Sequence, residues 1–214
     1  DRLCALANVP KPRVAIANTE LPNAFAAGRS PDRAVLCATT GLMRRLDERE
    51  LEAVLSHELS HVAHRDVTVM TIASVVGVLA GFMTRALFFG GMGRQRDSNA
   101  AAVALMAMAV AVVVYAVSFL LTRLLSRYRE LAADRAGAIL TGQPSVLAQA
   151  LIKISGDMGR IPTKDLRAAE PYNAFFIVPA LTGKMDLGAM FASHPPLEKR
   201  LDQLAKISVE LGRG

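Results

Sequence analysis

Two long apolar runs divide the chain. Residues 67–84 (VTVMTIASVVGVLAGFMT) carry no charge, and neither do residues 98–122 (SNAAAVALMAMAVAVVVYAVSFLLT). About 20 apolar residues cross the hydrocarbon core of a bilayer as a helix. The second run meets that length. The first meets it when continued through Arg85, a side chain long enough to snorkel, to Phe89. The link between them, GGMGRQRDSN, is short, polar and glycine-containing. The pattern therefore predicts a transmembrane hairpin with spans of about 67–89 and 100–122.

On either side of the hairpin the periods are shorter. Residues 12–18 (PRVAIAN) alternate weakly and follow two prolines, and residues 33–39 (RAVLCAT) are similar. Both read as strands, with residues 23–31 as the turn between them, which gives a small hairpin or sheet edge. Asp47 with Glu50 three residues later has the form of a capping box. Leu51, Val54, Leu55, Leu59 and Val62 continue as a helical stripe. Whether that helix runs unbroken into the first span or kinks near Asp66 is left open by the pattern. Helices are also expected over residues 124–140, from Pro144 to about Ile154, and over residues 195–211, with 156–192 mostly irregular. The expected class is mainly α with a small β-sheet (α+β). One domain is split into residues 1–66 and 123–214 by the hairpin at 67–122.

Composition agrees with a membrane setting. Apolar residues make up 52% of the 214, and mean hydropathy is +0.30. Net charge is +6, but aromatics are only 5% and tryptophan is absent. A basic chain without stacking aromatics, its cations scattered or flanking apolar runs, does not read as a nucleic-acid binder. Arg65, Arg123, Arg127 and Arg129 border the outer ends of the spans, whereas Arg94 and Arg96 in the link are offset by Asp97. The positive-inside bias leans toward outer ends in the cytoplasm. Cys4 and Cys37 form no CxxC and read as two small thiols.

The chemistry starts at His57-Glu58-Leu59-Ser60-His61. Four residues apart on a helix, His57 and His61 project from one face and can meet at one ion. A catalytic zinc site takes three protein ligands and keeps a fourth position open. Glu58 is placed to act as general base. His64 shares the face but lies about 10 Å along the axis from His57, too far to join. The third ligand must come from elsewhere. His194 is one source. Glu130, in SRYRELAAD, is the better one, because an apolar hairpin returns the chain to the side it left. Asp134 follows on the same helical face, so one carboxylate binds while the other orients an imidazole.

NAFAAGRSPDRAVLCATTGL, HELSHVAHRD, SRYRELAAD and FASHPPLEKRL occur in that order. Together they resemble the HtpX-type membrane metalloendopeptidases, relatives of the CAAX prenyl endopeptidases, over nearly all of the chain. The resemblance implies a zincin-like fold and one Zn2+ per chain on His57, His61 and Glu130. It makes Glu58 the catalytic glutamate and Asp134 the residue behind a ligand. Asn23, Ala24, Phe25 and Ala26 would line the substrate cleft, and His194 and Arg200 would point into the site as donors to an oxyanion. Family members generally carry two further spans ahead of the catalytic part, so a fragment is expected. Many have Asn-Gly where this chain has His64-Arg65.

The expected function is a multi-pass zinc endopeptidase of the cell membrane (EC 3.4.24 type). Its site would face the cytoplasm and its partners would be protein or peptide substrates and the bilayer. A stress-response role in quality control of misfolded membrane proteins follows from the resemblance. A catalytically silent adaptor using the same cleft is the alternative. A membrane di-iron oxidoreductase is weaker, since Glu58-His61 is a single copy of the Glu-x-x-His pair such sites repeat.

Overall fold

The computed structural model describes residues 1–91, 98–158, 177 and 195–212. In chain order the elements are α1 (Arg2–Ala7), β1 (Arg13–Ala17), β2 (Ala24–Ala27), a 3-10 turn (Pro31–Arg33), β3 (Val35–Thr39), α2 (Thr40–Arg45) and α3 (Glu48–Ala63). These are followed by α4 (Asp66–Gly91), α5 (Ser98–Thr141), α6 (Pro144–Met158) and α7 (Leu197–Glu210). The chain forms two compact units. One comprises Asp1–Thr68 with Ser126–Gly214, and the other is Val69–Leu125.

In the first unit the sheet order is β1-β3-β2. β1 runs parallel to β3 (Ala15 opposite Cys37), and β2 runs antiparallel to it (Phe25 opposite Cys37). Of the expected small hairpin or sheet edge, the hairpin is corrected: residues 12–18 and 33–39 do pair, but in parallel. The segment read as a turn supplies the third strand and pairs with β3 itself. The reversal falls instead at Gly28, whose φ of +140° disfavours other residues, and through the 3-10 turn. A Cβ there would lie 2.6 Å from the Arg33 carbonyl oxygen, so the close return also needs glycine.

Thr39 joins sheet to helix. Its hydroxyl accepts from the Leu42 N–H that caps α2 and from the Asn23 N–H, and donates to the Leu21 carbonyl. α3 opens with the full capping box of Asp47 and Glu50. Glu50 is buried and also receives Lys153 of α6, Nζ to Oε1 2.6 Å. The core is formed by Ala53 and Val54 of α3, Leu147, Leu151 and Ile154 of α6, and Leu204 and Ile207 of α7. These aliphatic stripes at helical spacing bury one face of each helix, which fixes the shared frame of α3 and α7.

α3 does not continue into α4. Arg65 adopts a left-handed conformation, φ 54°, and the helix restarts at Asp66. By contrast α5 is one helix of 44 residues, so the second apolar run and the SRYRELAAD segment share a single rod.

The second unit is apolar outside as well as inside. Candidate membrane-crossing stretches cover Asp66–Ala86 and Leu105–Thr141, with mean hydropathies of 2.0 and 2.4 and only 6% and 11% of the windows buried. A core helix of a water-soluble protein would be mostly covered, so these are helices long and apolar enough to cross a membrane with their side chains turned outward. The pair meets at small residues. Gly77 faces Ser118, and Gly81 lies against the Tyr115 ring. Ser74, Thr84 and Thr122 return their hydroxyls to backbone carbonyls of their own helices, which satisfies them without water.

Candidate metal centre

α3 brings His57 and His61 to one face, and α5 carries Glu130 toward them. The imidazole rings stand at 89° with centroids 4.9 Å apart. Nε2 of His57 and Nε2 of His61 are 3.2 Å apart. Glu130 Oε1 lies 3.5 Å from His61 Nε2, and its Oε2 lies 3.8 Å from His57 Nε2. One ligand atom from each of the three residues lies within 4.8 Å of the others.

The close approach of the two helices has a visible cause. A Cβ on Gly137 of α5 would lie 2.9 Å from the His57 backbone nitrogen and 3.1 Å from its Cα. Ser56, fully buried, donates to the Ala53 carbonyl and is 3.2 Å from the Gly137 carbonyl. A mid-helix glycine weakens α5 locally but lets the α3 backbone settle against it.

Each imidazole is backed by an aspartate, and each aspartate by an arginine. His57 Nδ1 lies 2.9 Å from Asp134 Oδ1. Asp134 is fully buried and held by Arg200, Nε to Oδ2 2.7 Å and Nη2 to Oδ1 2.6 Å. The third Arg200 nitrogen, Nη1, donates to the Ile177 carbonyl at 2.7 Å. His61 Nδ1 lies 2.5 Å from Asp66 Oδ2, which also receives Arg129 at 2.8 Å. A carboxylate on each Nδ1 favours the Nδ1–H tautomer and leaves both Nε2 lone pairs facing each other.

Two imidazole nitrogens 3.2 Å apart, with a carboxylate beside them, call for a shared cation, a proton in the metal-free fold or a metal ion. The donor set fits zinc. At bonds of about 2.0–2.1 Å, neighbouring ligand atoms of a tetrahedron are separated by about 3.3 Å. The nitrogen pair is at that separation and the carboxylate slightly beyond it.

Glu58 is buried beside this group, with its Oε2 accepting the Ala26 N–H at 3.1 Å. Burial pushes its carboxyl above the ordinary range. The His57 and His61 rings oppose the shift and Glu130 adds to it. For His61, burial alone would lower the pKa. The hydrogen bond to Asp66, with Glu130 and Glu58 nearby, outweighs burial and raises it.

The remaining expected residues fall in three places. Asn23 is buried, and its side-chain oxygen accepts the Ile177 N–H at 3.1 Å. Ala24, Phe25 and Ala26 lie on β2, a sheet edge. Thr39 donates its N–H to the Asn23 carbonyl, so by alternation Ala24 and Ala26 turn their backbone groups away from β3. The edge of β2 thus runs past Glu58. Arg200 is 2% exposed and spends its donors on Asp134 and Ile177. Its Nη1 also lies 3.8 Å from Glu130 Oε2, so the guanidinium does face the ligand carboxylate, as a buried group already bonded to Asp134 and Ile177. His194 lies outside the described residues, and exposed His64 takes no part in the group.

Asp66, Arg129 and Gly137 were not anticipated. On an unbroken helix Asp66 would stand about 140° around from His61, so only the break brings it into reach. The one sequence signal for Gly137 is its place inside an otherwise strong helical pattern.

A two-histidine, one-glutamate corner with a second glutamate beside it is a donor set of the kind metallopeptidases use. The chain belongs to peptidase family M48, which matches residues 1–208. It is 60% identical over 213 residues to Protease HtpX homolog 1 of Streptomyces coelicolor, covering 99% of this chain and 70% of that protein. It is 53% identical to Protease HtpX homolog of Moorella thermoacetica, covering 99% and 71%. Its fold is like that of S. mikatae Ste24p, with a TM-score of 0.58 at 18% identity, covering 95% of this chain and 49% of the other. The chain thus spans about half the length of the Ste24p chain. It is a metalloprotease-family protein with two helices suited to a membrane.

Proposed function

We propose that this chain is a zinc-dependent endopeptidase of the cell membrane, active at the cytoplasmic surface and concerned with misfolded membrane proteins. The observation that carries the reading is the buried corner of His57, His61 and Glu130 with Glu58 beside it. Those three residues would hold zinc, which when bound supplies Lewis-acid polarisation of a carbonyl and makes water more acidic. The domain that holds this corner is split in sequence, residues 1–66 and 123–214, around a hairpin at 67–122.

The chain's own residues do the rest. Glu58 takes the proton of the attacking water and hands it to the leaving amine. A carboxyl pushed up by burial is matched to holding that proton between the two steps. The substrate lies extended along β2, using the outward backbone groups of Ala24 and Ala26, and displaces the Ala26 N–H from Glu58. His194 donates to the tetrahedral oxyanion. Arg200 acts through Asp134, which keeps the His57 ring oriented.

The test is zinc content and casein hydrolysis of the detergent-purified protein. Glu58→Gln is expected to keep its zinc and lose cleavage by about 10²–10⁴-fold. Cleavage persisting in that variant refutes the base assignment and leaves room for a different mechanism. Zinc content unchanged in Glu130→Ala removes Glu130 from the ligand set. A wild type that binds zinc but cleaves nothing fits a silent adaptor.

A further inference from the structure

We infer that Asp66, clamped by Arg129, is a positioning residue for His61 and sets how tightly the centre holds its metal. The inference rests on the metal reading above. Asp66 is buried at 5% exposure, and its Oδ2 meets both His61 Nδ1 and Arg129. That juxtaposition is not a by-product of helix geometry. Five positions along a continuous helix would carry Asp66 to another face. The left-handed Arg65 ends α3, and α4 begins with Asp66 turned back over the last turn.

The arginine comes from far along the chain. Arg129 lies on α5 beside Glu130, and its side chain is 16% exposed at the carboxylate. Through Asp66, at the start of α4, the clamp therefore links His61 on α3 to the helix that carries the ligand carboxylate. His61 is the more exposed of the two rings, with 14% of its side chain accessible against 1% for His57. It has more room to rotate, so a carboxylate that fixes its Nδ1–H has more to restrain. Asp66 and Arg129 do for His61 what Asp134 and Arg200 do for His57, from an independent part of the fold. A purely local role, an acidic residue opening α4, would need neither His61 nor Arg129 as partner.

The experiment uses the full chain in detergent and measures zinc affinity by competition with a chromophoric chelator. It is paired with the visible spectrum of the cobalt(II) form and with far-ultraviolet circular dichroism. Asp66→Ala is expected to bind zinc about 10–100-fold more weakly, the usual cost of removing a group behind a ligand histidine. Its cobalt bands should shift while its helical signal stays. Asp66→Asn keeps an acceptor for Nδ1–H and is expected to recover part of that loss. Arg135→Ala, from an exposed pair with Glu210, is expected to match wild type. A folded Asp66→Ala within twofold of wild-type affinity overturns the inference. If Asp66→Ala does not fold, Asp66→Asn at wild-type affinity and with an unshifted cobalt spectrum overturns it instead. A wild type that takes up no zinc defeats the metal reading, a different and distinguishable result.

Discussion

Gly137 offers a sharp test of how the centre is held. Replacing it with alanine puts a carbon 2.9 Å from the His57 nitrogen, 3.0 Å from Ser56 Oγ and 3.1 Å from His57 Cα. Ordinary contact requires about 0.5 Å more. Two of the three obstacles are buried helix backbone, so α5 must retreat. Overpacking of this kind costs about 1–3 kcal/mol. Alanine in a helix recovers about 1 kcal/mol over glycine. Those terms oppose each other, and a second variant separates them. Gly156 sits on α6 with nothing within 4 Å of its would-be Cβ. Gly156→Ala should therefore show the propensity gain alone. We expect Gly156→Ala to gain up to about 1 kcal/mol and Gly137→Ala to fall about 2 kcal/mol below it. Thermal unfolding of the metal-free proteins by circular dichroism reads this as about 2–4 °C per kcal/mol. Retreat of α5 also draws Asp134 and Glu130 away from His57, so Gly137→Ala should bind zinc about tenfold more weakly. Equal gains in both variants, or unchanged zinc affinity in Gly137→Ala, would refute the close-approach argument.

Three further outcomes follow from the same geometry. Arg200→Met leaves Asp134 buried without its fork and should destabilise the protein by about 3–5 kcal/mol in chemical denaturation; Arg200→Lys should not rescue it, because a point charge cannot bridge both oxygens and Ile177. Arg65→Gly should stabilise the protein by about 0.5–1 kcal/mol, since glycine takes φ 54° without strain at some cost in chain entropy; a loss of stability contradicts this. Zinc uptake near pH 7 should release protons, because His61 must be neutral to bind and its pKa is raised above the usual imidazole value of about 6.5. The sign is that His61 stabilises the metal-free fold fully below that ordinary value and loses the contribution as pH rises through the raised one. Calorimetry in buffers of differing ionisation enthalpy measures the release, and a buffer-independent heat refutes it.

The helices were legible because their signals are local. Asp47 and Glu50 are three residues apart, and the apolar stripe of α3 recurs every turn. The apolar runs are distinguished by length alone. The sheet was legible only as strands. Its pairing depends on contacts between residues 13 and 35 that no local pattern encodes, and β2 is three alanines around Phe25, which resemble a loop. At the metal centre the ligand face of α3 is a matter of spacing, but Asp66 is not. Its role depends on a left-handed turn at Arg65, a residue type that rarely adopts one. Arg200 has the same difficulty, since whether a guanidinium faces a cleft or a buried carboxylate is decided by where α7 packs.

The centre is assembled in three instalments. His57 and His61 are followed about 70 residues later by Glu130 and Asp134, and about 70 residues after those by Arg200. At synthesis rates of about 5–20 residues per second, the histidines wait several seconds for their carboxylate and as long again for the arginine that steadies Asp134. A growing chain therefore holds no complete cutting site until both apolar helices have been made. The order of the residues thus ties completion of the proposed centre to the synthesis of both apolar helices.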